Sequence, residues 1–166
     1  MKLLLKTLPR LTAAIALVAL SALGPAQAAT QSAGQPVTQA EAASFLTRMA
    51  QLNHDFDEKY VDLYAADANV TGHKSDSGES RTLTGAQWRQ LMLFGWEKAK
   101  KRDDRFTLKK VRFEPVGARM KVLAERYVLR KCNTDPDYHL VLGRQPDGQI
   151  LITEEYFDLS VPNRCR

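Results

Sequence analysis

The apolar residues of this chain follow two different periods. Up to Lys101 they recur at helical spacing, and from Arg105 onward they alternate. A chain ordered in this way builds an α+β domain, with its helices gathered on one face of an antiparallel sheet. Thr38-Gln39-Ala40-Glu41 is a capping box, and Phe45, Leu46, Met49 and Leu52 follow it on one helical stripe, which predicts a helix over about 39–53. Asp55 can cap a second helix with Phe56, Tyr60, Leu63 and Tyr64 on its buried side, and the two stay in phase well enough to fuse. A short extended piece, Asn69 to His73, and a polar Ser/Gly loop precede a second box, Thr84-Gly85-Ala86-Gln87. That box opens a helix to about Lys101 with Trp88, Leu91, Met92, Gly95, Trp96 and Ala99 on one side. Gly95 beside two tryptophans predicts a close neighbour or a concavity.

The second half reads as four strands. "RFTLKKVRFEP" ends at Pro115-Val116-Gly117, and 118–131 alternates as one long strand with Met120, Val122 and Ala124 on one face and Leu123, Tyr127 and Leu129 on the other. "YHLVLGR" and "ILITEEYFDLS" flank Pro146-Asp147-Gly148, where proline presets the first turn dihedral and glycine supplies a positive one, so these two form a hairpin. With apolar residues on both faces, the sheet wants a second partner, and a homodimer through its outer face is the expected supplier.

Residues 1–28 read as a secretory signal peptide: Lys2, Lys6 and Arg10 lead into an apolar run from Leu11 to Leu23 and an Ala26-Gln27-Ala28 cleavage site. That run is too short for a membrane span, and no membrane insertion is expected. The expected location is the periplasm or the medium. Residues 29–37 are small and polar and are expected to form a flexible tail, leaving 38–166 as the domain. The whole chain has a formal charge of +5, and three of its cations with no anions lie in the leader, which leaves +2. That balance gives no electrostatic case for nucleic acid; the basic run from Lys98 to Lys110 reads as a helix end that complements its dipole. Cys132 and Cys165 are the two cysteines, and export predicts one disulfide between them.

The order of these elements resembles the NTF2-like superfamily, SnoaL-like members included, whose cystatin-like α+β fold is a cone of helices packed on a curved sheet. The resemblance spans about 38–159. It is carried most clearly by "LYAADANVTG", Leu63 to Gly72, which is similar to the family's Y-A-x-D-A-x-V corner. In ketosteroid-isomerase-like members the catalytic aspartate stands two residues beyond the motif valine. Here the valine is Val70 and that position is Gly72, so the expected base is missing. His73 follows, and strand alternation turns it to the opposite face.

His73, Glu154 and Tyr60 are the remaining acid–base candidates. Of the adjacent Glu154 and Glu155 only one can line a pocket, with Arg126, Glu125 and Tyr156 as its possible neighbours. His54 reads as a helix-junction residue and His139 as a strand residue. The three histidines lack metal-ligand spacing, so no metal or cofactor is expected. The expected pocket is Phe45, Met49, Tyr60, Tyr64, Trp88, Met92 and Trp96.

The function these residues imply is binding of a small apolar molecule in the cone, or of a protein on the sheet face as an inhibitor or immunity partner would. The alternative is a cofactor-independent isomerase, dehydratase or cyclase. The leader makes one prediction: amino-terminal sequencing of the exported protein reads from Ala29, and a chain that still begins at Met1 refutes the cleavage site.

Overall fold

The computed structural model describes residues 34–165, so the leader and most of the tail lie outside the described residues. Both capping boxes form. α1 spans Gln39–Asp55 and α2 spans Gly85–Lys101, each opened by a threonine hydroxyl that accepts a first-turn amide while Glu41 or Gln87 reaches back. Between them run a 3₁₀ helix, Glu58–Leu63, and the strands β1, Tyr64–His73, and β2, Ser80–Thr84. After α2 come β3, Phe106–Val116; β4, Arg119–Val128; β5, Asn133–Asp135; β6, His139–Arg144; and β7, Ile150–Asp158. The sheet order is β2-β1-β7-β6-β4-β3, with β5 on the end of β4. α1 packs over β3 and β4, and α2 over β1. Among the described residues no helix is long and apolar enough to cross a membrane.

Several expectations are corrected. The first two helices do not fuse, because Phe56 caps α1 in the left-handed region at φ 51° and Asp57 restarts the chain as a 3₁₀ helix. Tyr64 therefore opens a strand instead of closing a helix, and β1 is twice the length expected, at ten residues. The sheet is not wholly antiparallel: β1 runs parallel to β7, placing Val70 opposite Glu155 and Gly72 opposite Phe157. β2 and β5 emerge from segments read as loop or strand end. The long strand stops at Val128, and Leu129 turns into a second 3₁₀ helix, Leu129–Lys131. The tail is tied down before Thr38, since Val37 is buried and donates its amide to the Ala118 carbonyl at 2.9 Å.

The core lies between the helices and the inner sheet face. It is built from Phe45 and Met49 of α1, Leu63 and Tyr64, and Val70, Val122, Leu140, Leu142, Ile152 and Phe157 of the strands. Met120, Val122 and Ala124 face inward as their alternation predicts, while Leu123 and Tyr127 are half-buried on the outer side. The Cys132–Cys165 disulfide forms, with Cα atoms 5.0 Å apart, and binds the carboxyl-terminal segment to the second 3₁₀ helix; Val161 is buried along the way.

α2 sits against β1 because Gly85 has no side chain: a Cβ there would lie 1.8 Å from the Ala65 carbonyl oxygen. Backbone cannot yield as a rotamer can. Gly85→Ala is therefore expected to lower stability by about 2–3 kcal/mol in urea unfolding, and an unchanged midpoint would show that α2 can move away without cost.

Candidate functional site

β7 carries an irregularity that decides which carboxylate enters the protein. Opposite β6 the register runs from Leu142↔Ile152 to Val141↔Glu154, so Thr153 is an extra residue and the strand is bulged there. Gly143 makes room for it, since a Cβ at that position would approach Thr153 Cγ2 to 2.7 Å. The bulge reverses the parity of the following residues. Regular alternation from the buried Ile152 would turn Glu154 inward; instead Glu155 and Phe157 point in and Glu154 points out, where it pairs with Arg119. Glu154 is thus corrected as a pocket candidate, and Glu155 takes its place.

Glu155 is 5% exposed. Tyr64 donates its hydroxyl to Oε2 at 2.8 Å and Tyr138 donates to Oε1 at 2.7 Å. Burial raises the carboxyl pKa above its ordinary value, and the two phenols and Arg126 offset only part of that. The phenols of Tyr60, Tyr64 and Tyr138 are all pushed upward, first by burial and then by Glu155. Beside them Asp135 is fully buried. It accepts the Asp158 amide at 2.8 Å and Arg126 Nη2 at 3.3 Å. The Arg126 guanidinium lies over the Phe157 ring at 4.9 Å and the Tyr138 ring at 5.4 Å.

These groups form one end of a cavity of about 280 Å³ between α2, the 3₁₀ helix and the inner sheet face. Its walls are Phe56, Tyr60, Tyr64, Trp88, Met92, Trp96, Phe106 and Phe157, with Glu155 and Arg126 among the lining residues. Gly95 also lines it, and nothing lies within 4 Å of a Cβ there, so this glycine marks a concavity and not a close contact. A larger depression of about 670 Å³ lies on the outer sheet face around Lys110, Glu125, His139 and Tyr156. The smaller cavity is the stronger site, because it combines aromatic walls with a buried titratable group.

Of the seven expected pocket residues, Tyr60, Tyr64, Trp88, Met92 and Trp96 meet in this cavity. Met49 faces a separate groove between α1 and β3, and Phe45 lies by another depression near the α1 amino end. Leu91, expected on the same stripe, is exposed. His73 sits on the outer face, bonded to Ser80 Oγ at 2.9 Å and stacked on Tyr156, whose other side carries His139. His54 is exposed beside Asp55. Arg126, Phe157 and Glu155 complete the site; strand parity was the signal for Arg126, two residues beyond the inward Ala124.

Two donors on lining residues, Trp88 Nε1 and Arg126 Nε, are buried without a hydrogen bond of ordinary geometry among the described residues, and neither atom is exposed to the cavity. The Trp88 N–H lies close enough to the Tyr64 hydroxyl to pull that phenol's pKa down against burial, yet it makes no hydrogen bond of ordinary geometry. Trp96, by contrast, donates to the Phe56 carbonyl at 3.1 Å.

A carboxyl whose folded pKa is raised holds a proton that the unfolded chain has lost. Its contribution to stability therefore falls as pH rises from about 4.5 through the folded value. Glu155→Gln removes that slope. The variant is expected to match or exceed the parent's stability at pH 8 and to lose its advantage at pH 4, as read by urea unfolding. Parallel pH profiles for the two proteins would show that Glu155 is charged in the fold.

No protein-family model matches the sequence, and no curated protein matches it. Solved structures do match in fold. An NTF2-like protein of unknown function from Pseudomonas putida shares 15% identity over 72% of this chain and 84% of its own, with a TM-score of 0.55. The yeast UBP3-associated protein BRE5 shares 18% over 73% and 95%, at 0.56. A putative calcium/calmodulin dependent protein kinase II association domain from Xanthomonas campestris shares 15% over 74% and 88%, at 0.52. At such identities the likeness is one of architecture, and in architecture this chain is NTF2-like.

Proposed function

We propose that this is an exported binding protein that holds a small, largely apolar molecule in the cavity between its helices and its curved sheet. The observation that carries the reading is the cavity itself: aromatic walls from α2, the 3₁₀ helix and β7 around about 280 Å³, opened at Gly95. Aromatic side chains lining a half-open cleft beside a few polar groups are the usual make-up of a small-molecule pocket. The size suits a molecule of one or two rings, at the low end for ligand pockets. The disulfide and the leader support export.

Acid–base catalysis is the second reading, favoured by Glu155. A carboxyl whose pKa burial raises, held between two phenols, can give or take a proton at a bound substrate, and this polar end is what an isomerase or dehydratase would need. The two readings part at Glu155→Gln, which abolishes turnover if the site is catalytic and leaves affinity intact if it only binds.

The cavity is tested by native mass spectrometry of protein purified from its own compartment, beside the variant Gly95→Phe. A Cβ at this position meets open space, and replacing a helix-interior glycine by phenylalanine favours the helix by roughly a few tenths of a kcal/mol, so the variant should fold. A small mass lost on denaturation and absent from Gly95→Phe is the expected result. A bare dimer, or a second polypeptide bound equally by both proteins, would move the binding site to the outer sheet face.

A further inference from the structure

α2 has two unlike faces. Trp88, Met92, Gly95 and Trp96 turn inward and line the cavity. On the other side Leu91, Phe94, Lys98 and Lys101 stand three and four residues apart, so they form one stripe along the exposed side of the helix. Phe94 is 92% exposed and Leu91 51%, with Leu93 beside them at 46%. Of the five large apolar side chains exposed among the described residues, these three gather within one turn. Single exposed apolar residues are ordinary on a protein surface, whereas a cluster marks a contact. Helix propensity does not account for Phe94 either, since phenylalanine is a weaker helix former than the glutamines and lysines along the same side.

The same stripe runs into cations. Lys98, Lys100, Lys101 and Arg102 are exposed, and none of them makes an ion pair among the described residues. Glu97 is the one carboxylate of α2, and the two that follow the helix are engaged, Asp103 by Arg105 and Asp104 by Arg130. The helix dipole explains cations in the last turn but not an exposed ring one turn before them. Apolar side chains beside unpaired cations match a partner that carries anions over an apolar layer. A second copy of α2 would bring a single carboxylate to these four cations. A folded partner would need a groove for the Phe94 ring, while the interface of a bilayer yields to a protruding one.

We propose that the outer face of α2 docks on an anionic phospholipid membrane. Leu91 and Phe94 enter the interfacial layer, the four cations meet lipid phosphates, and no part of the helix crosses the bilayer. The contact is independent of the cavity, which lies behind the opposite stripe of the same helix.

Vesicle co-sedimentation of the mature protein reads the contact, with vesicles of phosphatidylcholine alone and of phosphatidylcholine with about one third phosphatidylglycerol. The parent is expected to bind the anionic vesicles about tenfold or more above the neutral ones and to lose that preference in roughly molar salt. Phe94→Ser is expected to weaken anionic binding about fivefold and Lys98→Gln/Lys101→Gln about tenfold, while Val116→Ser, which alters an exposed apolar residue outside α2, binds as the parent does. All four positions are exposed, so the variants should fold. Equal binding to both kinds of vesicle overturns the role of the cations. Anionic binding that Phe94→Ser leaves unchanged overturns the role of the ring. Binding to neither overturns the proposal; a dimer that Phe94→Ser dissociates in sedimentation velocity would then give the face to a second copy, and an acidic polypeptide released by the lysine substitutions would give it to a protein.

Discussion

The parallel pairing of β1 with β7 is the constraint on which the rest of this molecule depends. It joins segments more than eighty residues apart and seats the first strand in the interior of the sheet, between β2 and the final hairpin. It brings Tyr64 within reach of Glu155 across a sequence separation of 91. It also sets Val70 and Gly72 on the inner face beside Glu155 and Phe157. Without that pairing there is no polar end to the cavity, because most of its aromatic walls come from α2 and the 3₁₀ helix while Arg126 and Glu155 come from β4 and β7. Parallel pairs need long crossovers, and here the crossover is most of the domain.

Much of the architecture was legible because it is locally encoded. Thr38 and Thr84 with their partners three residues on announce both helix starts, Pro146-Asp147-Gly148 announces the hairpin, and alternation from Met120 to Ala124 gives the inner face of β4. What escaped is what local sequence does not determine. Tyr60, Leu63 and Tyr64 keep helical phase with α1, yet a left-handed Phe56 breaks the helix and Tyr64 is drawn into a sheet by a strand at the other end of the chain. The identity of the buried carboxyl turns on a single bulged residue, Thr153. Two adjacent glutamates are equivalent by composition, and only the pairing of β7 with its neighbours tells them apart. The aromatic residues of α2 and the 3₁₀ helix were readable as a stripe, but whether they leave a space depends on how far α2 stands from the sheet, which Gly85 and Ala65 set together.

The site also shows where the fold accepts cost. Glu155 and Asp135 are buried polar groups in a region that could have been apolar, and each is kept only because it is fully engaged, one by phenols and the other by Arg126 and backbone amides. Satisfied networks of this kind fix geometry more than they add stability. Arg126 links the two, and its packing on Phe157 and Tyr138 holds the guanidinium plane where both networks meet the cavity.

The pair Cys132 and Cys165 has a consequence for how the chain matures. With two cysteines in the whole sequence there is one possible intramolecular bridge, so oxidation cannot produce a scrambled isomer and no disulfide shuffling is required. Both sulfurs also lie late in the sequence, with β5, β6 and β7 between them. In a chain emerging amino-terminus first, the bond cannot close until the last strand has been delivered, so any oxidant acts on a finished set of strands and has no earlier thiol pair to trap.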